Sequence, residues 1–168
     1  MEKLNIINGT EYMTIDEIMR EHWGEIMASK IKPVVYLASP YTHEDPQVVE
    51  ENFRKVSQVA ADLTAGGMIV FSPITYGHTL LQFKDMPGDW SFWASFCFSL
   101  LLKSDQLLVC DNMEGWEISK GVTEEISFAR DHNIKVSYYS ELERSLRYKK
   151  EKEDQHNEKQ VEKKSHRV

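Results

Sequence analysis

The sequence predicts an α/β fold, a flavodoxin/Rossmann-like doubly wound parallel sheet of about four to five strands with helices on both faces. Three observations predict it. Short β-rich apolar runs alternate with longer stretches whose apolar residues recur at helical spacing. Between them stand Gly-Gly, Ser-Pro and Asp-Pro pairs, the residues that stop helices and punctuate turns. The 168 residues, 41% of them hydrophobic, have room for one domain with a real core plus tails. Strands separated by helices of this length imply right-handed crossovers and therefore parallel neighbours.

Residues 1–31 read as an N-terminal appendage, in which Thr14-Ile-Asp-Glu17 has the form of a capping box and predicts a short helix through Met27. The main domain is expected over residues 32–141. Its first strand is Val34-Val-Tyr-Leu-Ala38, after Pro33 and before the turn signal Ser39-Pro40. From Asp45-Pro46 to Ala65 the positions Val48, Val49, Phe53, Val56, Val59, Ala60 and Leu63 mark one apolar helix face, and Gly66-Gly67 stops it. A second strand follows at 68–72, closed by Pro73, and residues 74–89 read as a long irregular loop. A helix over 90–103, a strand over 106–110, a helix over 122–132 and a strand over 134–138 complete a β-α-β-α-β-α-β pattern. Residues 142–168 form a charged C-terminal tail, predicted to be solvated and partly helical.

The net charge of −7 argues against binding a nucleic-acid polymer, which needs Lys and Arg to neutralise phosphates. Free nucleotides stay open, because backbone N–H groups can hold a single anion. Cys97 and Cys110 each stand beside hydrophobic residues, which fits two buried thiols in a reducing compartment better than a disulfide framework. Neither has zinc-ligand spacing. The apolar stretch from Phe92 to Leu102 is interrupted by serines and is shorter than the roughly 20 residues a bilayer demands. No signal-peptide core follows Met1. A cytoplasmic protein with no membrane partner is expected.

Parallel sheets bind ligands beyond the carboxyl ends of their strands, so the loops there carry the candidate chemistry. After the first strand come Ser39, Tyr41, Thr42 and His43; after the second, Thr75, Tyr76 and His78; after the third, Asp111, Asn112, Trp116, Glu117 and Ser119. In the run Ser119-Lys-Gly-Val-Thr-Glu-Glu125, Gly121 permits close backbone approach, Ser119 offers a hydroxyl, and the first amides of the next helix form an anion cradle. A helix starting near Val122 puts Glu125 in its first turn, where the dipole favours an ionised carboxylate. Such a carboxylate suits covalent displacement at a sugar's anomeric carbon, and helix capping alone explains a glutamate there equally well. Tyr41 is open to stacking on a base or to plain packing, and His78 to bonding a base or phosphate or to a local loop role. Trp90, Trp93 and Trp116 are open to packing or to walling a pocket, and Arg54 to solvation or phosphate pairing. His43, Glu44 and Asp45 resemble a metal cluster only loosely, and no metal is predicted.

Four stretches carry a resemblance: Tyr36-Leu-Ala-Ser-Pro-Tyr41, Val70-Phe-Ser-Pro73, Ser104-Asp-Gln-Leu-Leu-Val-Cys110 and Gly115-Trp-Glu-Ile-Ser-Lys-Gly-Val-Thr-Glu-Glu-Ile-Ser-Phe-Ala129. Together they resemble the nucleoside 2-deoxyribosyltransferase superfamily over residues 33–140. The nearest likeness is to a phage and bacterial branch sharing the Gly88-Asp-Trp90 and Gly-Trp-Glu-x-Ser-x-Gly signatures, and to the deoxynucleoside 5′-monophosphate N-glycosidases. Members break or exchange the N-glycosidic bond of nucleosides or their monophosphates with a glutamate in a Glu-[Leu/Ile]-x-x-Ala run. Here that run is Glu125-Ile-Ser-Phe-Ala129, which implies Glu125 as nucleophile. Transferases carry an aspartate six residues before it, whereas the monophosphate N-glycosidases carry a serine that helps hold the 5′-phosphate, as Ser119 would. One position departs from the pattern: many relatives have an aspartate where this chain has Cys97, and a thiol is a poor general acid. Asp89 is the substitute to test, with an N-cap as its alternative role.

The expectation is therefore hydrolysis of the base–sugar bond of a nucleoside 5′-monophosphate, with catalytic Glu125 and Asp89 and with Ser39, Tyr41, His78, Asp111, Trp116, Ser119 and Gly121 binding the substrate. No cofactor is required. The alternatives are sugar transfer between bases and nucleotide sensing without turnover. The resemblance also implies a homo-oligomer.

Overall fold

The computed structural model describes residues 5–7, 10–12 and 32–165. The chain divides into two compact units, Met1–Lys32 and Pro33–Val168. In the first, β1 (Asn5–Ile7) and β2 (Thr10–Tyr12) pair antiparallel with Ile6 opposite Glu11. The helix expected from Thr14 to Met27 lies outside the described residues.

The second unit runs β3 (Val34–Ala38), α1 (Pro46–Ala65), β4 (Ile69–Phe71), α2 (Pro73–Leu81), α3 (Trp90–Leu101), β5 (Gln106–Val109), a 3-10 turn (Trp116–Ile118), α4 (Lys120–Asp131), β6 (Lys135–Tyr138) and α5 (Tyr139–Ser165). The strands form one all-parallel sheet in the order β4-β3-β5-β6. This is the doubly wound α/β architecture that the alternation of strands and helices predicts. Strand pleating sorts the core. Tyr36, Ala38, Leu107 and Val109 point to one face and pack with Cys97 and Leu101 of α3 and Val122, Ile126 and Ala129 of α4. Val35, Leu37 and Leu108 point to the other, where Val56, Val59 and Leu63 of α1 and Leu142 of α5 cover them. Both faces of the central strands are thus dry, and each fully buried Leu or Val contributes about 1.5–3 kcal/mol.

Two differences from the sequence reading have physical causes. Residues 73–81 are helical, not loop: Pro73 stands at the first position of α2, where a missing N–H costs nothing, and the Ser72 hydroxyl accepts from the Thr75 amide at 3.2 Å. The Pro that closes the strand also opens the helix. The irregular stretch shrinks to what lies between α2 and α3. Second, α4 starts at Lys120, not near Val122. The helix expected in part of the charged segment after residue 142 is α5, which begins already at Tyr139. Asp111 anchors its start by accepting from the Ser140 amide at 2.8 Å and the Ser140 hydroxyl at 2.5 Å. Among the described residues no helix is long and apolar enough to cross a membrane.

Candidate active site

β3 pairs with β4 on one side and β5 on the other, so the chain leaves β3 in one direction and later returns on the opposite flank. The loops after β3 and β5 diverge there, and the gap between them is where a parallel sheet opens a crevice. A cleft of about 650 Å³, counting its open mouth, lies at that place. Ser39, Tyr41 and Thr42 come to it from the end of β3, Gly77 and His78 from α2, Trp90, Trp93 and Cys97 from α3, and Ser119, Gly121, Val122 and Glu125 from α4. Its mixture of rings with few polar groups is the kind of lining that small-molecule sites have.

Glu125 is the buried acid of this cleft, with 4% of its surface exposed. The Tyr36 hydroxyl donates to its Oε1 at 2.5 Å, and the Cys97 thiol stands beside it. Burial pushes the Glu125 carboxyl up to about 7, against the pull of hydrogen bonds from Tyr36 and Cys97 that favour the ionised form. Burial likewise drives the Tyr36 hydroxyl well above its usual value and, with the Glu125 charge second, the Cys97 thiol up to about 12. Cys97 therefore stays a neutral thiol at physiological pH. Because α4 begins at Lys120, Glu125 falls in its second turn, beyond the strongest reach of the dipole. An ionised first-turn carboxylate is thus corrected to a buried one that is close to half protonated at neutral pH. The capping explanation for this glutamate falls with it.

Ser119 is the N-cap of α4, yet its side chain makes no capping bond, and its carbonyl accepts from the Thr123 amide at 2.9 Å. Ser119 lines the cleft, and the first amides of α4 have no partner within the helix, as at any helix N-terminus. Gly121 does permit a close approach, and one partner is internal: a Cβ there would lie 3.2 Å from the Trp90 ring. Trp90 is pinned over α4 by donating to Glu124 Oε2 at 2.7 Å. Ser39, 6% exposed, holds a buried hydroxyl with no hydrogen-bond partner, and it lines the cleft. Buried polar atoms are nearly always paired, so this one is poised for a ligand atom.

On the wall formed by α2, the Tyr41 hydroxyl meets His78 Nδ1 at 3.0 Å, and His78 Nε2 faces Glu50 Oε2 at 3.4 Å. Phe53 stacks flat on the imidazole with centroids 3.8 Å apart.

Three predicted residues do not join the cleft. Asp89 is the N-cap of α3, accepting from the Phe92 amide at 3.2 Å and from the Ser91 hydroxyl, and these bonds hold its carboxyl below the usual carboxylate range. A general acid needs the opposite shift. Asp111 is spent on Ser140, and Trp116 packs on Tyr138 with centroids 5.8 Å apart. His43 accepts from the Asp45 amide at 3.0 Å, a turn contact. Sequence reasoning missed Tyr36 and Glu50. A tyrosine inside a buried strand was the available signal for Tyr36, since its hydroxyl must find a partner. Glu50 gave none, because it sits on the polar side of α1.

Fold and site together define a Rossmann-like α/β domain with a protonatable carboxylate in the crevice at the switch point of its sheet. Residues 33–141 match the family model described as a domain of unknown function, DUF1937, and the chain belongs to that family. No curated protein matches it.

Proposed function

We propose that this protein is an N-glycosidase that hydrolyses the base–sugar bond of a nucleoside 5′-monophosphate, with Glu125 as nucleophile. The observation that carries the reading is the buried Glu125 carboxyl, fixed at 2.5 Å by Tyr36 in the cleft at the carboxyl ends of the strands. The sequence likeness to the nucleoside 2-deoxyribosyltransferase superfamily supports the same assignment. In its ionised form Glu125 attacks the anomeric carbon, the C–N bond breaks, and the base leaves with a proton. Water then attacks the glycosyl ester, returning the carboxylate and releasing the sugar 5-phosphate. Ser119 and the first amides of α4 hold the phosphate, where the helix dipole favours negative charge. Trp90 and Trp93 wall the pocket in which the base lies. The protein acts in the cytoplasm as a homo-oligomer and uses no cofactor.

The experiment is incubation with a panel of nucleoside 5′-monophosphates and chromatographic detection of free base. Wild type releases base and Glu125→Ala does not. Equal release by the variant refutes the nucleophile, and no release by wild type from any member refutes the activity. A second reading, nucleotide sensing without turnover, is favoured by Cys97, whose thiol beside Glu125 is too weak an acid to serve a leaving base. Calorimetric binding without base release would select it. Sugar transfer would instead show as faster loss of the first nucleoside when a second free base is added.

A further inference from the structure

Resting on the N-glycosidase reading, we propose that Tyr41 is the acid that protonates the departing base, with His78 and Glu50 as the positioning residues behind it.

The leaving base needs a proton, and the carboxyl and thiol groups nearest at hand do not provide one. Glu125 is the nucleophile, Tyr36 and the Cys97 thiol are both committed to it, and Asp89 is a helix cap outside the cleft. The opposite wall of the cleft holds a row of three groups from three elements, a hydrogen bond between Tyr41 and His78 followed by a close contact from His78 to Glu50. Tyr41, from the segment after β3, meets His78 Nδ1 of α2 at 3.0 Å, and His78 Nε2 faces Glu50 of α1 at 3.4 Å. Tyr41 and His78 line the cleft, and Glu50 does not. The imidazole has little freedom: 14% of its side chain is exposed, Phe53 lies flat on it, and Tyr41 meets it edge-on at an interplanar angle of 89°. The charged groups around it are Glu50 and, bound to Glu50 at 2.8 Å, Arg54 of the same helix.

This order of groups offers the proton a route. Glu50 stands 3.4 Å from Nε2 and Tyr41 3.0 Å from Nδ1, so the Nδ1 proton of a doubly protonated His78 points at the Tyr41 oxygen. As the C–N bond breaks, its electron pair stays on the base and takes the Tyr41 proton. Tyr41 takes the Nδ1 proton in the same event, leaving neutral imidazole and a neutral phenol. When water attacks the glycosyl ester, its proton returns through Tyr41 to His78, and the sum is base–sugar plus water giving free base plus sugar. Packing alone would explain a Tyr–His contact, but not a carboxylate on the far nitrogen of the same ring.

The test compares two leaving groups on the same sugar 5-phosphate: a nucleobase, which must be protonated, and 4-nitrophenolate, which need not be. General acid catalysis is worth roughly 100-fold to 10,000-fold. Tyr41→Phe should lose about 100-fold or more in kcat on the nucleotide and far less on the nitrophenyl substrate. Glu125→Ala should lose both alike. His78→Gln and Glu50→Gln should each lower kcat on the nucleotide far more than on the nitrophenyl substrate, a split that a purely structural role would not produce. Should Tyr41→Phe fail to fold by circular dichroism, the two-substrate comparison on Glu50→Gln decides. Equal losses on both substrates, or none, overturn the assignment of Tyr41 while leaving Glu125 in place. A wild type that releases no base overturns the N-glycosidase reading itself.

Discussion

Replacing Glu125 by glutamine converts the burial of one carboxyl into a measurable pH dependence of folding. The substitution keeps the shape of the side chain and an oxygen for Tyr36 to donate to, but removes the titration. In the folded protein the group is raised from 4.5 to about 7, chiefly by burial. Below pH 4.5 the folded and unfolded chains both carry the proton, and the carboxyl weighs on neither state. As pH rises toward 7 the unfolded chain ionises while the folded one resists, so stability is lost throughout that window. Above 7 both are ionised and the loss is complete. The size of the rise corresponds to about 3 kcal/mol, with no discount for solvent because the side chain is buried. Wild-type stability should therefore fall relative to Glu125→Gln by about 3 kcal/mol between pH 4 and pH 8. Urea unfolding of both proteins across that range measures the difference, and its slope, unlike any constant offset from the altered hydrogen bond, belongs to Glu125. A flat difference would mean that the carboxyl titrates at its ordinary value, and the picture of a buried, half-protonated acid would be wrong.

Tyr36→Phe removes a hydrogen bond that favours ionised Glu125, so the acid limb of base release should move to higher pH, with about 1.5–3 kcal/mol of stabilisation of the charged form lost, read from a pH–rate profile. Ser119→Ala should weaken binding of a nucleoside 5′-monophosphate about 10-fold or more and that of the bare nucleoside little, as calorimetry would show. Asp89→Ala should cost about 1 kcal/mol of stability through the lost N-cap of α3 and leave the pH profile of base release where it was, and a displaced profile would return Asp89 to the chemistry.

How far the sequence could be read follows from the range of the interactions involved. The sheet was legible because Val34–Ala38 and Gln106–Val109 are short apolar runs buried on both sides, and the helices between them carry their own caps and stops. Helix α2 was hidden because Pro73 is an equally good sign of a strand's end and a helix's beginning. Ser39, Tyr41, His78, Ser119, Gly121 and Glu125 do meet in one cleft, since the rule that selects loops at the carboxyl ends of strands needs only the order of elements. The same rule selected Asp111 and Trp116, and it cannot separate a side chain that turns into the crevice from one that turns away to tie down α5 or β6. Pairings across the fold were out of reach. Tyr36 and Glu125 are 89 residues apart, and nothing local to either predicts that they touch.

That pairing also joins the chemistry to the core. Tyr36 and Cys97 belong to the same buried cluster as Leu101, Leu107 and Val122, so the groups that act on the Glu125 proton are themselves core residues of β3 and α3. The carboxyl is raised because that face of the sheet is dry, and it is restrained because two core side chains donate to it. Packing and reactivity at this site are then one quantity. A core change that admits water would lower the carboxyl toward its ordinary value and yield more of the anion but a better hydrated one. A change that only deletes a donor would raise it further and leave it protonated. The two kinds of damage move the acid limb in opposite directions, so the sign of the shift in a core variant reports which of the two the cleft has suffered.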